Sequence, residues 1–209
     1  ESTEAVAGAY TLAFSPPTGN APGDECGNAQ TLTLSGGVYS GSGTTALDST
    51  IIDDYSGELC GGDLVDGYGA GGNDQVWRFT APTAGDWRVV VTPSDDSDPL
   101  LYAFAGNTCG PTCATAAVDD GASGGSEDIL LAGLAANATV SIVVDTYIAN
   151  AGGAYVISVS SCTPLCLGGE CGGDDGCGGV CGCGAGEVCG ASGFCEDEVA
   201  AGNTCATPR

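Results

Sequence analysis

The chain of 209 residues contains no lysine, no histidine and no methionine, and its three cationic side chains are all arginines. Because 27 residues are acidic, the formal net charge is −24. This excludes a basic footprint for nucleic acid and electrostatic docking on an anionic membrane. Without histidine there is no His general base, no Ser–His or Cys–His nucleophile pair and no His metal ligand. We expect a protein that is not an enzyme.

Long apolar runs are missing as well. No stretch approaches the ~18 consecutive apolar residues that a membrane-spanning helix needs, so we predict no membrane insertion. The chain begins at Glu1 and shows no signal-peptide pattern. From this we expect a processed product or a window of a longer protein.

Cysteine and glycine are abundant, at 13 and 37 residues. Such cysteine usage is typical of an oxidising compartment, and we predict an extracellular or cell-surface protein. Four cysteines lie in residues 1–161 and nine in residues 162–209. We therefore predict four segments: an N-terminal strand segment (1–19), a β-sandwich (20–161), a Cys-rich disulfide module (162–199) and a tail resembling the start of a further sandwich (200–209).

Residues 1–161 show short alternating apolar stretches bounded by turn residues, which is the pattern of β-strands. In residues 75–80, for example, Trp77 and Phe79 fall on one face. No stretch has a helical apolar period. About nine short strands in this length favour an all-β, two-sheet antiparallel sandwich. The predicted strands are residues 10–14, 31–34, 38–42, 75–80, 87–92, 100–105, 128–131, 140–145 and 155–160.

Two segments of the chain repeat others. Residues 7–15 (AGAYTLAFS) echo residues 152–160 (GGAYVISVS), and residues 200–208 echo residues 21–29. The chain thus opens like the last strand of a sandwich and closes like the first strand of another. One interpretation is a unit of a repeating array, or a protomer that shares strands with its neighbours. The other is coincidence in a sequence rich in glycine and alanine.

The first echo has the form of a donor strand. Tyr10, Leu12 and Phe14 alternate with smaller residues, and two prolines at 16–17 end the strand. An extended segment of this kind can satisfy an open sheet edge of another chain. We predict strand exchange through these three side chains, and hence self-association into a polymer or with neighbouring repeats.

The cysteines favour disulfides over a thiolate metal site, since the eight in the Cys-rich module lack a paired C-x₂-C knuckle. Eight cysteines allow 105 pairings, so their connectivity stays open. Cys109 and Cys113 are four residues apart and suit a small loop, which would leave Cys26 for Cys60. Cys205 is then unpaired or intermolecular. The eight are Cys162, Cys166, Cys171, Cys177, Cys181, Cys183, Cys189 and Cys195.

Acidic residues cluster in predicted loops beside glycine or serine. Calcium takes six to eight hard oxygen ligands from such loops, and calcium is the cofactor that these clusters suggest. Solvated acids that aid solubility are the alternative. Asp119 and Asp120 are the leading candidate ligands, and the other candidates are Asp53, Asp54, Asp95, Asp96 and Asp98. For Arg78 and Arg88 we predict structural pairing with acids.

Residues 23–161 resemble a bacterial pre-peptidase C-terminal (PPC) domain. The resemblance rests on GDECGNA at 23–29, DQVWRFTAP at 74–82, DPLLY at 98–102, DDG at 119–121, VSIVVDTY at 140–147 and GAYVISV at 153–159. It implies a jelly-roll-like β-sandwich, secretion and no catalysis. Such domains flank proteases or occur in large secreted proteins, and relatives attached to collagenases bind collagen and calcium. Residues 162–195 resemble Cys/Gly-rich modules of large secreted bacterial proteins. This second resemblance does not point to any particular ligand.

Two functions remain open from the sequence. The chain is either a structural module of an extracellular filament or of a repetitive surface or adhesive protein, or an accessory domain that targets a secreted hydrolase to protein or polysaccharide. The terminal echoes and the odd Cys205 favour the first function.

Overall fold

A computed structural model describes residues 22–45, 73–109, 113–119, 121–147, 152–163, 165–166, 171–173, 175–177 and 180–197. These residues form a β-sandwich followed by a disulfide-rich module. The prediction of an all-β, jelly-roll-like sandwich with a small disulfide-rich C-terminal module is confirmed.

Ten strands build two five-stranded sheets. The first sheet has the order β1-β4-β9-β6-β7, and the second has the order β2-β3-β10-β5-β8. Pairing is antiparallel except between β1 and β4, which are parallel. The strands are β1 (Gln30–Thr31), β2 (Thr33–Ser35), β3 (Val38–Thr44), β4 (Gln75–Thr80), β5 (Gly85–Pro93), β6 (Pro99–Ala105), β7 (Ala116–Val118), β8 (Glu127–Leu134), β9 (Thr139–Thr146) and β10 (Ala154–Ser161).

The main core lies between the two sheets. Three aromatic rings meet at its centre: Phe79 lies 5.3 Å from Tyr39 and 5.0 Å from Trp87, measured between ring centroids. Alternating residues of β5, β8, β9 and β10 complete the core, because successive side chains of a strand point to opposite faces. The buried core residues include Val89, Val91, Ile129, Leu131, Ile142, Val144, Ile157 and Val159.

A chain of buried hydrogen bonds connects the two sheets through the core. The indole Nε1–H of Trp77 donates to the hydroxyl of Tyr155 at 2.8 Å. That hydroxyl donates to Oε1 of Gln75 at 2.6 Å. Glycine 41 on β3 makes room for the indole, since a Cβ there would lie 2.3 Å from Cζ3 of Trp77. Gly41 therefore allows the indole ring of Trp77, from the first sheet, to approach the backbone of β3 in the second sheet.

The outer face of the first sheet carries a second apolar cluster. Its members alternate with the core residues on the same strands and are fully or almost fully buried. The first sheet is therefore apolar on both faces over part of its area, which sandwich alternation alone does not predict. The members are Val76, Leu100, Tyr102, Phe104, Ala114 and Val143.

Two strand predictions need correction. Residues 31–34 were expected to form one strand, but they divide at Leu32 between β1 in the first sheet and β2 in the second. Strand β7 was not predicted, because Ala-Ala-Val is too short and weak a pattern. The predicted strand at residues 10–14 lies outside the described residues.

The cysteine pairing expected in the sandwich is wrong. Cys26 pairs with Cys109 across 83 residues, with a Cα–Cα distance of 5.9 Å. Cys113 is also disulfide-bonded, so a Cys109–Cys113 loop and a Cys26–Cys60 pair are both ruled out. The physical reason is the sheet order: the 3₁₀ turn Cys26–Asn28 precedes β1, and the loop after β6 reaches it. Cys60 and Cys205 lie outside the described residues.

The C-terminal module is held together by four disulfides. They are Cys162–Cys177, Cys166–Cys181, Cys171–Cys189 and Cys183–Cys195, and they interlock along the sequence. A small hairpin of β11 (Glu187–Cys189) and β12 (Cys195–Asp197) places two of these cysteines opposite each other in register. Each is nevertheless bonded to a more N-terminal cysteine. Disulfides of this number indicate an oxidising compartment outside the cytoplasm.

Within the described ranges, no helix has the length and apolar character needed to cross a lipid bilayer.

Candidate functional site

Several loops with acidic residues meet at one end of the sandwich. The loop between β5 and β6 is tied to the loop before β8, because the backbone N–H of Gly124 donates to the carbonyl of Ser97 at 2.8 Å. The N–H of Tyr147, which follows β9, donates to the carbonyl of Asp98 at 3.0 Å. We call this region the acidic end. It contains Asp95, Asp96 and Asp98 of the predicted calcium ligands.

Asp95 has a structural role in this region. Its Oδ1 accepts a hydrogen bond from the backbone N–H of Ser97 at 3.0 Å. Hydrogen bonds from the side chain and backbone of Ser97 hold the pKa of the Asp95 carboxyl below its usual range. Both carboxylate oxygens also lie against Gly153, where a Cβ would be 2.4 Å away. Asp95 thus connects the loop before β6 with the start of β10.

Two buried oxygen atoms at the acidic end lack hydrogen-bond partners among the described residues. They are Oδ1 of Asp98 and Oγ1 of Thr146. The two residues are neighbours, since Thr146 pairs in register with Pro99. An unsatisfied buried oxygen costs about 1–3 kcal/mol. A hard cation coordinated by such oxygens would remove that cost, and a carboxylate and a hydroxyl oxygen are of the ligand type that calcium takes, although calcium needs six to eight of them.

Register places further carboxylates at the same end of the first sheet. Asp145 lies opposite Leu100, and Asp119 follows β7, whose Val118 lies opposite Leu101. The structure therefore brings together Asp98 and Asp119, which the sequence analysis proposed, and adds Asp145. Asp53, Asp54 and Asp120 lie outside the described residues.

Three acids of this region are almost completely buried. Glu127 was recognised from the sequence as part of an acidic pair with Asp128, but none of the three was proposed as a ligand. Asp145 is 0% exposed, and Asp74 and Glu127 are each 1% exposed. Their positions in the sequence indicate this burial, because residues two apart in a strand lie on the same face. Glu127 shares a face with Ile129 of the main core, and Asp145 shares a face with Val143 of the outer cluster. The Glu127 carboxylate accepts a hydrogen bond from the backbone N–H of Gly121.

The two arginines in the described part of the chain, Arg78 and Arg88, make their contacts away from the carboxylates of the acidic end. Arg88 forms an exposed, bidentate ion pair with Asp128, with Nη2 and Oδ2 2.7 Å apart. Arg78 instead donates to Ser141 and Asn107, each at 2.8 Å, and to two backbone carbonyls. The prediction of pairing with acids holds for Arg88, while Arg78 makes these contacts to neutral groups. Since the chain has no lysine or histidine, the remaining cation is Arg209.

A group of sulfur atoms in the C-terminal module resembles a metal site by distance alone. The Sγ atoms of Cys171, Cys183 and Cys195 lie within 4.8 Å of one another. Each belongs to a disulfide, however, and metal coordination requires thiolates. The group is therefore the crossing point of two disulfides rather than a zinc site.

A second candidate site lies on the side of the sandwich formed by β7 and β8. Strand β7 pairs only with residues 101–103 of β6, whereas β8 extends over eight residues. Beyond β7 the two sheets leave a cleft of about 250 Å³ with a mostly apolar lining. It is lined by Ala105, Thr115, Leu130, Leu131, Ala132, Leu134, Ala138, Thr139 and Val140. None of these side chains is charged, although the protein as a whole carries −24.

No family model matches the chain, and no curated protein matches it. Among solved structures it is similar to a periplasmic inhibitor of g-type lysozyme from Aeromonas hydrophila, at 16% identity and a TM-score of 0.36, covering 63% of this chain and 94% of that one. It is also similar to the K3 adhesin domain of Lys-gingipain from Porphyromonas gingivalis, at 11% identity and a TM-score of 0.28, covering 59% and 74%. A family 35 carbohydrate-binding module from an environmental isolate matches at 18% identity and a TM-score of 0.30, covering 54% and 82%.

Proposed function

We propose that this chain is a non-enzymatic structural module of an extracellular or cell-surface assembly, and that its copies associate by strand sharing. One observation carries the proposal. Strand β10, which residues 7–15 duplicate in sequence, lies inside the second sheet and is paired on both sides, by β3 and by β5. The place that the duplicate would take in its own sandwich is therefore already filled.

The chemistry of the chain supports a structural role. The chain has no histidine and no lysine, which removes the commonest general base and the Schiff-base nucleophile. Its most reactive side-chain type, cysteine, is engaged in disulfides throughout the described ranges. A covalently cross-linked, highly acidic sandwich is suited to persist outside the cell, where disulfides are stable.

The proposal keeps the PPC-like interpretation of residues 20–161. Four of the sequence pieces that carry the resemblance fall on strands, namely β4, the start of β6, β9 and β10. The alternative role, an accessory domain of a secreted hydrolase, makes a different prediction. Such a domain binds protein or polysaccharide as a monomer, whereas a strand-sharing module associates with itself.

Deleting residues 1–17 tests the proposed function. We expect the full chain to form oligomers whose size increases with protein concentration, and the deletion variant to be a monomer with an unchanged circular dichroism spectrum. Size-exclusion chromatography with light scattering measures both. Unchanged assembly after the deletion would show that strand sharing through this segment is wrong.

We also propose that calcium binds at the acidic end through Asp98 and Thr146, with Asp119 and Asp145 nearby. A ligand that binds only the folded state stabilises it by mass action, by about 2.7 kcal/mol at 100 times Kd. At low ionic strength we therefore expect EDTA to lower the melting temperature and calcium to restore it. Differential scanning calorimetry measures the change.

Two controls separate a specific site from general screening of the −24 charge. Asp98→Asn should abolish the response to calcium, whereas Asp128→Asn, which removes the same charge from the exposed ion pair with Arg88, should retain it. Sodium at equal ionic strength should restore little of the lost stability. Equal rescue by sodium, or a calcium response that survives Asp98→Asn, would contradict the site.

A further inference from the structure

We propose that the free edge of β8 and the apolar cleft beside it, formed by residues 130–134 and the facing end of the first sheet, accept residues 10–14 of a second copy of this chain. This inference rests on the proposed function and names its acceptor site. The donor pairs along β8 as an added strand and places an apolar side chain in the cleft. The result is a head-to-tail contact between copies.

The first argument is the open backbone of β8. Strand β8 is the last strand of the second sheet, and within the described part of the chain no strand pairs with its outer side. Unpaired N–H and C=O groups along an edge favour the addition of another strand. The short β7 lies beside only part of this edge, because it spans three residues against the eight of β8.

The second argument is the fit between donor and acceptor. The donor strand at 10–14 and the acceptor stretch at 130–134 are both five residues long, or about 17 Å when extended. Tyr10, Leu12 and Phe14 fall on one face of such a strand. The cleft offers apolar contacts to that face from Leu131, Leu134 and Val140. Burial of these large apolar side chains would therefore favour the contact.

The third argument is charge. Two copies with a net charge of −24 repel each other, so a contact between them needs neutral surfaces. Residues 5–22 contain no charged residue, and the cleft lining contains none either. Because salt screens the remaining long-range repulsion, the contact is expected to strengthen as ionic strength rises.

The fourth argument is the position of Gly23 relative to the acceptor. Gly23 lies at the opposite side of the first sheet, where the N–H of Val76 on β4 donates to its carbonyl at 2.9 Å. Three strand spacings, or about 14 Å, separate β4 from β7 across this sheet. Residues 15–22 are long enough to span that distance, so the mixing experiment below, and not reach, distinguishes a second copy from the donor's own chain. A donor at one side and an acceptor at the other make a heterologous contact, which extends into a filament unless the rotation closes a ring.

The test uses two variants of the full chain. Ala132→Arg places a cation at the mouth of the cleft on an exposed residue, so that the fold is retained while the acceptor is blocked. Leu12→Asp combined with Phe14→Asp blocks the donor. We expect each variant alone to raise the concentration for half-maximal assembly by about 10-fold or more, as loss of a central contact does. Leu34→Arg, on the exposed edge strand β2 of the same sheet, is the matched control and should assemble like the parent chain.

Mixing the two variants tests whether the donor strand of one copy binds the acceptor of another copy. The Ala132→Arg chain retains its donor and the Leu12→Asp/Phe14→Asp chain retains its acceptor, so an equimolar mixture should form 1:1 dimers in sedimentation velocity. Hydrogen exchange should then slow in residues 130–134 of the acceptor chain. Two monomeric variants that remain monomeric when mixed would overturn the proposal.

The remaining outcomes separate this inference from the proposed function. If Ala132→Arg assembles like the parent chain while the donor variant stays monomeric, the β8 acceptor is wrong and strand sharing stands. If the donor variant also assembles normally, or if the parent chain is a monomer at all concentrations and salt levels, the proposed function itself is wrong.

Discussion

Reduction of the disulfides is expected to unfold the C-terminal module completely while the sandwich remains folded. The four disulfides of the module close loops with sequence separations of 15, 15, 18 and 12 residues. In the chain-entropy model a loop of this size contributes about 3 kcal/mol. The buried positions described in the module are three cysteines, Cys171, Cys177 and Cys181, and Asp175. Little apolar surface remains to hold the module when these bonds are broken.

Limited proteolysis with mass spectrometry measures this effect. After reduction and alkylation we expect rapid cleavage within residues 163–197 and a protected fragment that contains residues 75–161. Without reductant both parts should resist the protease. A module that stays protected after every thiol has been alkylated would show that packing, and not cross-linking, holds it. Stoichiometric zinc or iron in the unreduced protein would also contradict the disulfide assignment.

The sandwich was predictable from sequence because its central strands alternate with period two. Gln75–Thr80 was predicted with the bounds it has in the structure, since Trp77 and Phe79 define a buried face. The predictions for β5, β9 and β10 were each short by one or two residues at both ends, where the strand continues beyond the apolar pattern. Alternation does not tell which of two sheets a strand joins, and this is why the division at Leu32 was missed.

The disulfide pairing of the sandwich depends on information that spacing does not contain. A four-residue interval between Cys109 and Cys113 suggested a small loop. Instead Cys109 is bonded to Cys26, because the sheet order β1-β4-β9-β6 and the loops at its end bring residues 83 positions apart together. Sequence proximity and spatial proximity differ whenever strands pair across long connections.

The acidic end was predictable in part. Asp98 and Asp119 were singled out as loop acids, and register places both at one end of the first sheet. Glu127 and Asp145 were not proposed as ligands. Each lies two residues from a buried apolar residue of its strand, Ile129 and Val143 respectively, and this position predicts burial. An acid on the apolar face of a strand is therefore predictable as buried from its position in the sequence.

Replacing Trp77 by alanine is expected to cost about 3–5 kcal/mol of the free energy of unfolding, the usual loss for a large buried aromatic side chain. Trp77 is 2% exposed and lies between the sheets against β3. A domain of this size is stabilised by only about 5–15 kcal/mol in total. The variant should therefore unfold at much lower urea concentration, as followed by circular dichroism.

Tyr155→Phe separates the hydrogen bonds at this position from the packing. The phenylalanine ring fills almost the same space, but the indole N–H of Trp77 loses its acceptor and Oε1 of Gln75 loses one of its donors. An unsatisfied buried group costs about 1–3 kcal/mol, so we expect Tyr155→Phe to lower the free energy of unfolding by about this amount. Because the indole N–H of Trp77 donates directly to the hydroxyl of Tyr155, the effects of Trp77→Phe and Tyr155→Phe should be non-additive by about 0.5–3 kcal/mol. Additive losses would show that the buried hydrogen bonds do not couple the two sheets, and that packing alone holds them together.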